Sequence, residues 1–193
     1  MKRLDPKSSL ILVIDVQERL CRVMPEARIA DLERSARVLL SAALELSIPV
    51  LATEQYPRGL GPTLPAISEL LDKCGARRFE KVVFSACGAD GVRDALEGSR
   101  PESVVAIGME AHVCVFQTVR DLVAADLAAH VPIDGVCSRR DDHRATGLAL
   151  CERAGAVLTT SETVLFDWLG RAGTDAFKRL SPLVKDAAGR PSP

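Results

Sequence analysis

Short apolar runs alternate along this chain with longer segments whose apolar residues recur at helical spacing. The short runs predict strands, and the longer segments predict amphipathic helices that pack on them. Six strands are predicted, at residues 8–15, 49–53, 81–85, 103–107, 130–133 and 156–159. Because strands alternate with helices, we expect a three-layer α-β-α fold with a six-stranded, mostly parallel sheet.

The predicted helices span residues 28–46, 67–71, 89–97, 113 to about 127, 141–154 and 161–169. Residues 54–65 are rich in Pro and Gly, which favours a loop. At 193 residues the chain is interpreted as one domain, with a core over about residues 8–170, a helical tail and a polar end at 190–193.

Candidate ligand-binding residues follow from this strand order. Ligands of parallel sheets bind at the carboxyl ends of the strands. Asp15, the 54–61 loop, Ser85 and the 108–114 turn all lie at such ends. We therefore expect these four elements to converge in space.

Composition and charge argue against several classes of function. The first apolar run, residues 10–14, stops at Asp15, which indicates a strand and not a signal peptide; no run has the ~18 residues of a membrane helix. A net charge of −1 without a basic stripe gives no support for nucleic-acid binding. Six cysteines without a CxxC pair indicate reduced thiols and a cytoplasmic protein. Phosphate-loop motifs and metal-ligand spacing of histidines are missing from the sequence, so we predict no cofactor and no metal.

Cys114 is the first candidate for chemistry. It follows the apolar strand and Gly108, on the first turn of the helix predicted from residue 113. Unpaired N–H groups and the helix dipole favour a thiolate there, so we expect a lowered pKa and a nucleophilic sulfur. The alternative is that Cys114 is a small buried packing residue, as most intracellular cysteines are.

Two charged residues could act on that thiol. Asp15 could accept the thiol proton, and Lys81 could stabilise the thiolate if it points inward. Asp15 could equally be a capping or solvated carboxylate, and Lys81 a charged residue flanking a strand. His112 is two residues from Cys114 and does not face it on a helix, so no Cys–His dyad is implied.

Taken together, six stretches of the sequence resemble the isochorismatase-like cysteine hydrolase superfamily, and in particular its isochorismatase-domain-containing proteins. The stretches are LVIDVQERL (12–20), ATEQYPRGLGPT (52–63), EKVVFSA (80–86), AIGMEAHVCV (106–115), SRRDDHRATGLALCERAGAVLTTSETVLF (138–166) and FKRLSPLVK (177–185). They cover nearly the whole chain in the right order. The resemblance implies a six-stranded parallel sheet flanked by helices.

The resemblance also implies roles for individual residues. The family's catalytic Asp, Lys and Cys fall on Asp15, Lys81 and Cys114. A cis peptide bond is expected at Met109–Glu110, and the backbone N–H groups of Glu110 and Cys114 would form an oxyanion hole. The candidates for lining the substrate pocket are Gln17, Glu54, Tyr56, Phe84 and His112.

Two departures narrow the implied activity. Nicotinamidases of this superfamily carry an Asp and histidines for a metal after the second strand, and the TEQYPRG stretch (53–59) has no histidine. True isochorismatases lack the nucleophilic cysteine that this chain retains. The resemblance therefore implies a cysteine-dependent amidase that cleaves a C–N bond of a small amide through a thioester.

An alternative of another class stays open. A binding protein or a thiol redox sensor can share the same fold, because fold does not imply function. A sensor would need a resolving thiol near Cys114, which Cys87 or Cys137 could supply in space. The superfamily is commonly oligomeric, so we expect a homo-oligomer with a small-molecule substrate and with neither nucleic acid nor membrane as partner.

Overall fold

The central strand of the structure is β1 (Ser9–Ile14), and all six of its residues are buried. The structure is a computed structural model that describes residues 3–187. The other strands are β2 (Val50–Gln55), β3 (Arg77–Lys81), β4 (Ser103–Met109), β5 (Ala128–Pro132), β6 (Val136–Cys137) and β7 (Val157–Thr159). Their order is β3-β2-β1-β4-β5-β7, with β6 beside β4. Every strand pair is parallel, so the predicted α/β fold is confirmed.

Helices cover both faces of this sheet. They are α1 (Glu18–Cys21), α2 (Glu26–Leu46), α3 (Pro57–Leu60), α4 (Pro65–Lys73), α5 (Val92–Ser99), α6 (Phe116–Ala124), α7 (Asp141–Arg153), α8 (Ser161–Leu169) and α9 (Asp175–Ala187). Because side chains alternate across a strand, Ile11 and Val13 pack in the layer of α2, α4, α8 and α9. Leu10 and Leu12 pack in the layer of α5, α6 and α7. Both faces of β1 are therefore core, which is why its sequence is continuously apolar.

The long helix α2 contributes much of the first core layer. Leu32, Leu39 and Leu40 are fully buried, and burial of each is worth roughly 1.5–3 kcal/mol. The helix ends at Leu46. The next residue, Ser47, adopts the left-handed conformation with φ 56° and donates its N–H to the Ala43 carbonyl.

The C-terminal helix also belongs to the core. Leu180 on α9 is buried in the same layer as Trp168 on α8, and the Trp168 indole N–H donates to Ser9 Oγ at 3.0 Å. Helix α9 thus packs onto the predicted core. The polar end at 190–193 lies outside the described residues.

The predicted third strand is wrong in its position. The strand is Arg77–Lys81, so Lys81 is its last residue, not its first. Val82, Val83 and Phe84 leave the sheet, and their side chains are 77%, 45% and 53% exposed. β3 is an edge strand, and edge strands are often charged, as RRFEK is. The apolar letters after Lys81 therefore do not mark the strand.

Other boundaries also need correction. The 54–65 segment is not all loop, because it contains the end of β2 and the single-turn helix α3. The helix predicted at residues 89–97 begins at Val92 and continues through Gly98. The sequence did not indicate the two-residue strand β6. The helix expected from residue 113 starts instead as a π-helical turn, Ala111–Val115, which leads into α6.

None of the helices in the described part of the chain combines the length and apolar character needed to cross a membrane.

Candidate active site

Three charged or nucleophilic side chains meet at the carboxyl edge of the sheet. Asp15 directly follows β1, Lys81 ends β3, and Cys114 lies on the π-helical turn after β4. Lys81 Nζ is 2.7 Å from Asp15 Oδ2, and both side chains are fully buried. Ile14 and Gly108 are register partners in β1 and β4, so the predicted convergence of Asp15 with the 108–114 turn occurs in the structure. A buried ion pair at such an edge is a candidate functional site.

Asp15 is held in place by the neighbouring strand. Its φ is 53°, a left-handed conformation that is uncommon outside Gly. Thr53 Oγ1 donates to Asp15 Oδ1 at 2.7 Å, and the Asp15 N–H donates to the Thr53 carbonyl at 3.0 Å. Asp15 Oδ2 makes the ion pair with Lys81 but no hydrogen bond of regular geometry within residues 3–187. One carboxylate oxygen is thus fixed, and the other is left to interact with charge.

The Lys81 ammonium has four oxygen neighbours. Besides Asp15 Oδ2, they are Gln55 Oε1 at 2.6 Å, the Phe84 carbonyl at 2.9 Å and the Val83 carbonyl at 3.2 Å. An ammonium has three N–H donors, so these acceptors can take up all of them. The buried positive charge is therefore stabilised by one anion and three dipoles.

The turn that carries Cys114 is tightly built. The Met109–Glu110 peptide bond is cis, and the Glu110 carbonyl accepts from the N–H groups of Val113 and Val115 at 3.0 and 3.2 Å. At Gly108, where φ is 129°, a Cβ would lie 2.0 Å from the Ile14 carbonyl oxygen. Only glycine lets β4 end so close to β1. The turn is therefore fixed next to Asp15.

Thr118 connects this turn to the segment after Lys81. Its Oγ1 donates to the Cys114 carbonyl at 2.7 Å and accepts from the Ala86 N–H at 2.8 Å. Thr118 has no exposed surface. Thr118 and Thr53 were not predicted from the sequence, and Gln55 was predicted only as part of the 54–61 loop, because single polar residues on separate elements form no sequence motif.

The expected lowering of the Cys114 pKa is wrong. Cys114 is 6% exposed. Burial and, to a smaller extent, the nearby Asp15 carboxylate raise the pKa of its thiol to about 12, although the Lys81 ammonium acts in the opposite direction. Desolvation of a thiolate outweighs the helix-terminus effect that the sequence suggested. The resting thiol is therefore protonated at neutral pH.

A second polar cluster lies on the outer side of the same turn. Glu110 Oε2 accepts from the Arg139 N–H and Nε at 3.0 and 3.1 Å. His112 Nδ1 lies 3.0 Å from Ser138 Oγ, and its ring centroid is 4.7 Å from that of His143. Burial lowers the pKa of His112, which keeps the ring neutral near neutral pH. These contacts fasten the turn that carries Cys114 to the residues before α7 and to the first turn of that helix.

The candidate pocket residues differ in their placement. Gln17 is fully buried, and its amide is occupied by the backbone of Gln55 and Gly61, so it braces the structure and does not face a ligand. Glu54 Oε1 accepts from the N–H and Oγ1 of Thr63. Tyr56 and Phe84 are 56% and 53% exposed. Tyr56 and Phe84 are thus accessible beside the site, whereas Gln17 is not.

A cavity of about 510 Å³ adjoins the site. Its lining includes Tyr56, Lys81, Val82 and Val83, and Cys114 is not among the lining residues. Among the described residues, no group of three or more His, Cys, Asp or Glu side chains could hold a metal ion.

The fold and the site define an α/β protein with a buried Asp–Lys pair next to a cysteine. Residues 9–163 match the family model described as the isochorismatase domain. The chain is 37% identical to "Isochorismatase domain-containing protein 2" from Bos taurus, with 99% of this chain and 88% of that protein covered. The chain therefore belongs to the isochorismatase family, and the resemblance found in the sequence is confirmed.

Solved structures have the same fold. The structure described as MAR1 ribonuclease from Caenorhabditis elegans matches this chain with a TM-score of 0.90 and 36% sequence identity. The match covers 98% of this chain and 95% of that chain. The Escherichia coli YcaC gene product, described as an octameric hydrolase of unknown specificity, has a TM-score of 0.87 at 18% identity, with 96% and 93% covered. The second likeness bears on the fold alone.

Proposed function

We propose that this protein is a cysteine-dependent hydrolase that cleaves the C–N bond of a small amide. The observation that carries the proposal is the buried Asp15–Lys81 ion pair within electrostatic reach of the Cys114 thiol. A base, a cation and a nucleophile on three separate elements form the kind of arrangement that covalent hydrolysis requires.

In the proposed reaction, the thiol proton of Cys114 passes to Asp15 as the sulfur attacks the amide carbonyl. Asp15 is suited to accept it, because its buried carboxylate is close enough to the thiol to raise the thiol pKa. Because the pKa of the resting thiol is raised to about 12, deprotonation accompanies the attack and does not precede it. Lys81 lowers the cost of the thiolate that develops.

The later steps use the same groups. The backbone N–H groups of Glu110 and Cys114 stabilise the oxyanion, each such donor being worth about 3 to 4 kcal/mol in other hydrolases. Protonated Asp15 gives its proton to the leaving amine as the C–N bond breaks, which leaves a thioester on Cys114. Asp15 then accepts a proton from water as the water oxygen displaces the sulfur. The proton returns from Asp15 to the Cys114 sulfur, and the acid product leaves.

The substrate we propose is small and partly apolar. Tyr56 and Phe84 offer exposed aromatic surface beside the site, and His112 borders the nucleophile turn. A redox-sensing role for Cys114 is disfavoured, because sensor thiols need a low pKa and burial raises this one. Cytoplasmic location and a homo-oligomeric assembly belong to the same proposal; the six free cysteines fit a reducing compartment.

The test is a turnover assay with a panel of small amides, in which release of ammonia or amine is measured. Cys114→Ala should lower turnover by at least about 10⁴-fold, and Cys151→Ala, the matched loss of another buried thiol, should leave it unchanged. Acid-quenched samples should carry the acyl mass on the peptide that contains Cys114. Full turnover by Cys114→Ala would show that covalent catalysis is wrong.

An RNA oligonucleotide belongs in the same panel, because a structure with 36% identity is described as a ribonuclease. We expect no cleavage of RNA, because a net charge of −1 gives the chain no overall excess of positive charge to attract phosphates. If the wild-type protein cleaves RNA and Cys114→Ala does not, the substrate class is RNA and not a small amide.

A further inference from the structure

Gln55 connects the Lys81 ammonium to the segment that follows it. Gln55 and Lys81 are register partners at the carboxyl ends of β2 and β3. The Gln55 amide accepts from Lys81 Nζ through Oε1 at 2.6 Å and donates to the Val82 carbonyl through Nε2 at 2.9 Å. Each end of the amide therefore has a partner of fixed polarity, which determines its orientation.

Three successive carbonyls face this amide and ammonium. The Val82 carbonyl accepts from Gln55, and the Val83 and Phe84 carbonyls accept from Lys81. With the backbone dipoles turned inward, the side chains of this lip (residues 82–84) point outward. The exposure of 77%, 45% and 53% follows from solvation of the buried ammonium by the lip.

Gln17 in turn holds the backbone of Gln55. Gln17 Oε1 accepts from the Gln55 N–H at 2.7 Å, and Gln17 Nε2 donates to the Gln55 carbonyl at 3.1 Å and to the Gly61 carbonyl at 2.6 Å. Gln17 has no exposed surface. A continuous chain of hydrogen bonds therefore runs from Gln17 through Gln55 to Lys81.

We propose that Gln55 is a positioning residue that holds the Lys81 ammonium against Asp15 and Cys114 and fixes the lip, with Gln17 holding Gln55. Its effect on turnover rests on the hydrolase function proposed above. Gln55 touches neither the thiol nor the substrate, and acts through Lys81.

The experiment measures the rate of Cys114 alkylation against pH in Gln55→Met, Lys81→Met and wild type. Iodoacetamide and the bulkier N-ethylmaleimide are used in parallel, with the Cys114 peptide followed by mass spectrometry. Methionine matches the length of glutamine but makes neither hydrogen bond. Gln117→Met, at the chain's remaining glutamine, is the matched control.

We expect Gln55→Met to slow Cys114 alkylation, because an ammonium that moves away no longer lowers the thiol pKa. A rise of half a unit to one unit corresponds to a loss of about threefold to tenfold in rate at a fixed pH below the pKa. Both reagents should lose the same factor, and Lys81→Met should lose as much or more. Gln55→Glu should slow alkylation as well, because it removes the donor to Val82 and adds negative charge.

Two results would overturn the proposal. One is a Gln55→Met profile equal to wild type while Lys81→Met is slowed. The other is faster alkylation, larger with N-ethylmaleimide, which would mean that Gln55 only restricts access. Neither result depends on a known substrate, so they are distinct from full turnover by Cys114→Ala, which refutes the hydrolase itself. Where a substrate is available, Gln55→Met should lower kcat more than it changes KM.

Discussion

Lys81 Nζ lies 2.7 Å from Asp15 Oδ2, and neither side chain has exposed surface. The pair joins the carboxyl ends of β1 and β3, which are separated by β2 in the sheet. Two charges in this position cost desolvation energy, which their mutual attraction and the surrounding dipoles must offset. Removing one partner leaves the other charge buried and unpaired.

The losses of stability from the two single substitutions in this pair should therefore add up to more than the loss from the double substitution. We expect Asp15→Asn and Lys81→Met each to lower the free energy of unfolding by about 3–5 kcal/mol. The double variant should lose less than the two single losses added together, as measured by urea unfolding. The exposed controls Asp90→Asn and Lys73→Met should stay within about 0.5 kcal/mol of wild type. Strict additivity would show that the two charges do not interact.

The same two residues should move the Cys114 thiol pKa in opposite directions. The Asp15 carboxylate raises it and the Lys81 ammonium lowers it. Alkylation at a pH below the thiol pKa should therefore be faster in Asp15→Asn and slower in Lys81→Met than in wild type. Asp15→Asn should nevertheless abolish amide turnover, because the thiol loses its proton acceptor. Slower alkylation in Asp15→Asn would contradict the placement of its carboxylate beside the sulfur.

The sequence was informative where one physical rule dominates. Continuous apolar runs identified β1 and β4, and the strand-end rule brought Asp15 and Cys114 together. Lys81 was a candidate from its charge and received its catalytic role from the family resemblance. Its strand was misplaced, because the apolar residues after it form the exposed lip.

Features that depend on packing in three dimensions were not predictable. Thr53, Gln55 and Thr118 act through hydrogen bonds between distant elements, and their spacing forms no pattern. The sequence predicted a lowered pKa for Cys114, whereas burial raises it. A helix terminus can be recognised in a sequence, but the depth of burial of a side chain cannot.

A different residue should affect stability in mild acid. His130 on β5 is 6% exposed, and burial lowers its pKa, with Asp167 opposing part of that effect. The unfolded chain then binds a proton below pH ~6.5 that the folded chain does not, so stability falls as pH drops through that range. His130→Gln should lose less stability than wild type between about pH 7.5 and 5.5 in urea unfolding. Equal acid sensitivity in His130→Gln and in wild type would contradict this assignment.

Helix α7 packs directly on the turn that carries Cys114, and this contact depends on one glycine. A Cβ at Gly147 would lie 2.6 Å from the Ala111 carbonyl carbon and from the His112 nitrogen. Gly147→Ala should therefore displace the turn, lower the unfolding free energy by about 1–3 kcal/mol and reduce turnover by up to about 10²-fold. Gly98→Ala on α5 is the matched control, because a Cβ there meets nothing within 4 Å. Because alanine favours a helix more than glycine does, Gly98→Ala should be about 0.5–1 kcal/mol more stable than wild type, with turnover unchanged. If Gly147→Ala matched Gly98→Ala in both stability and turnover, the position of the Cys114 turn would not depend on its contact with α7.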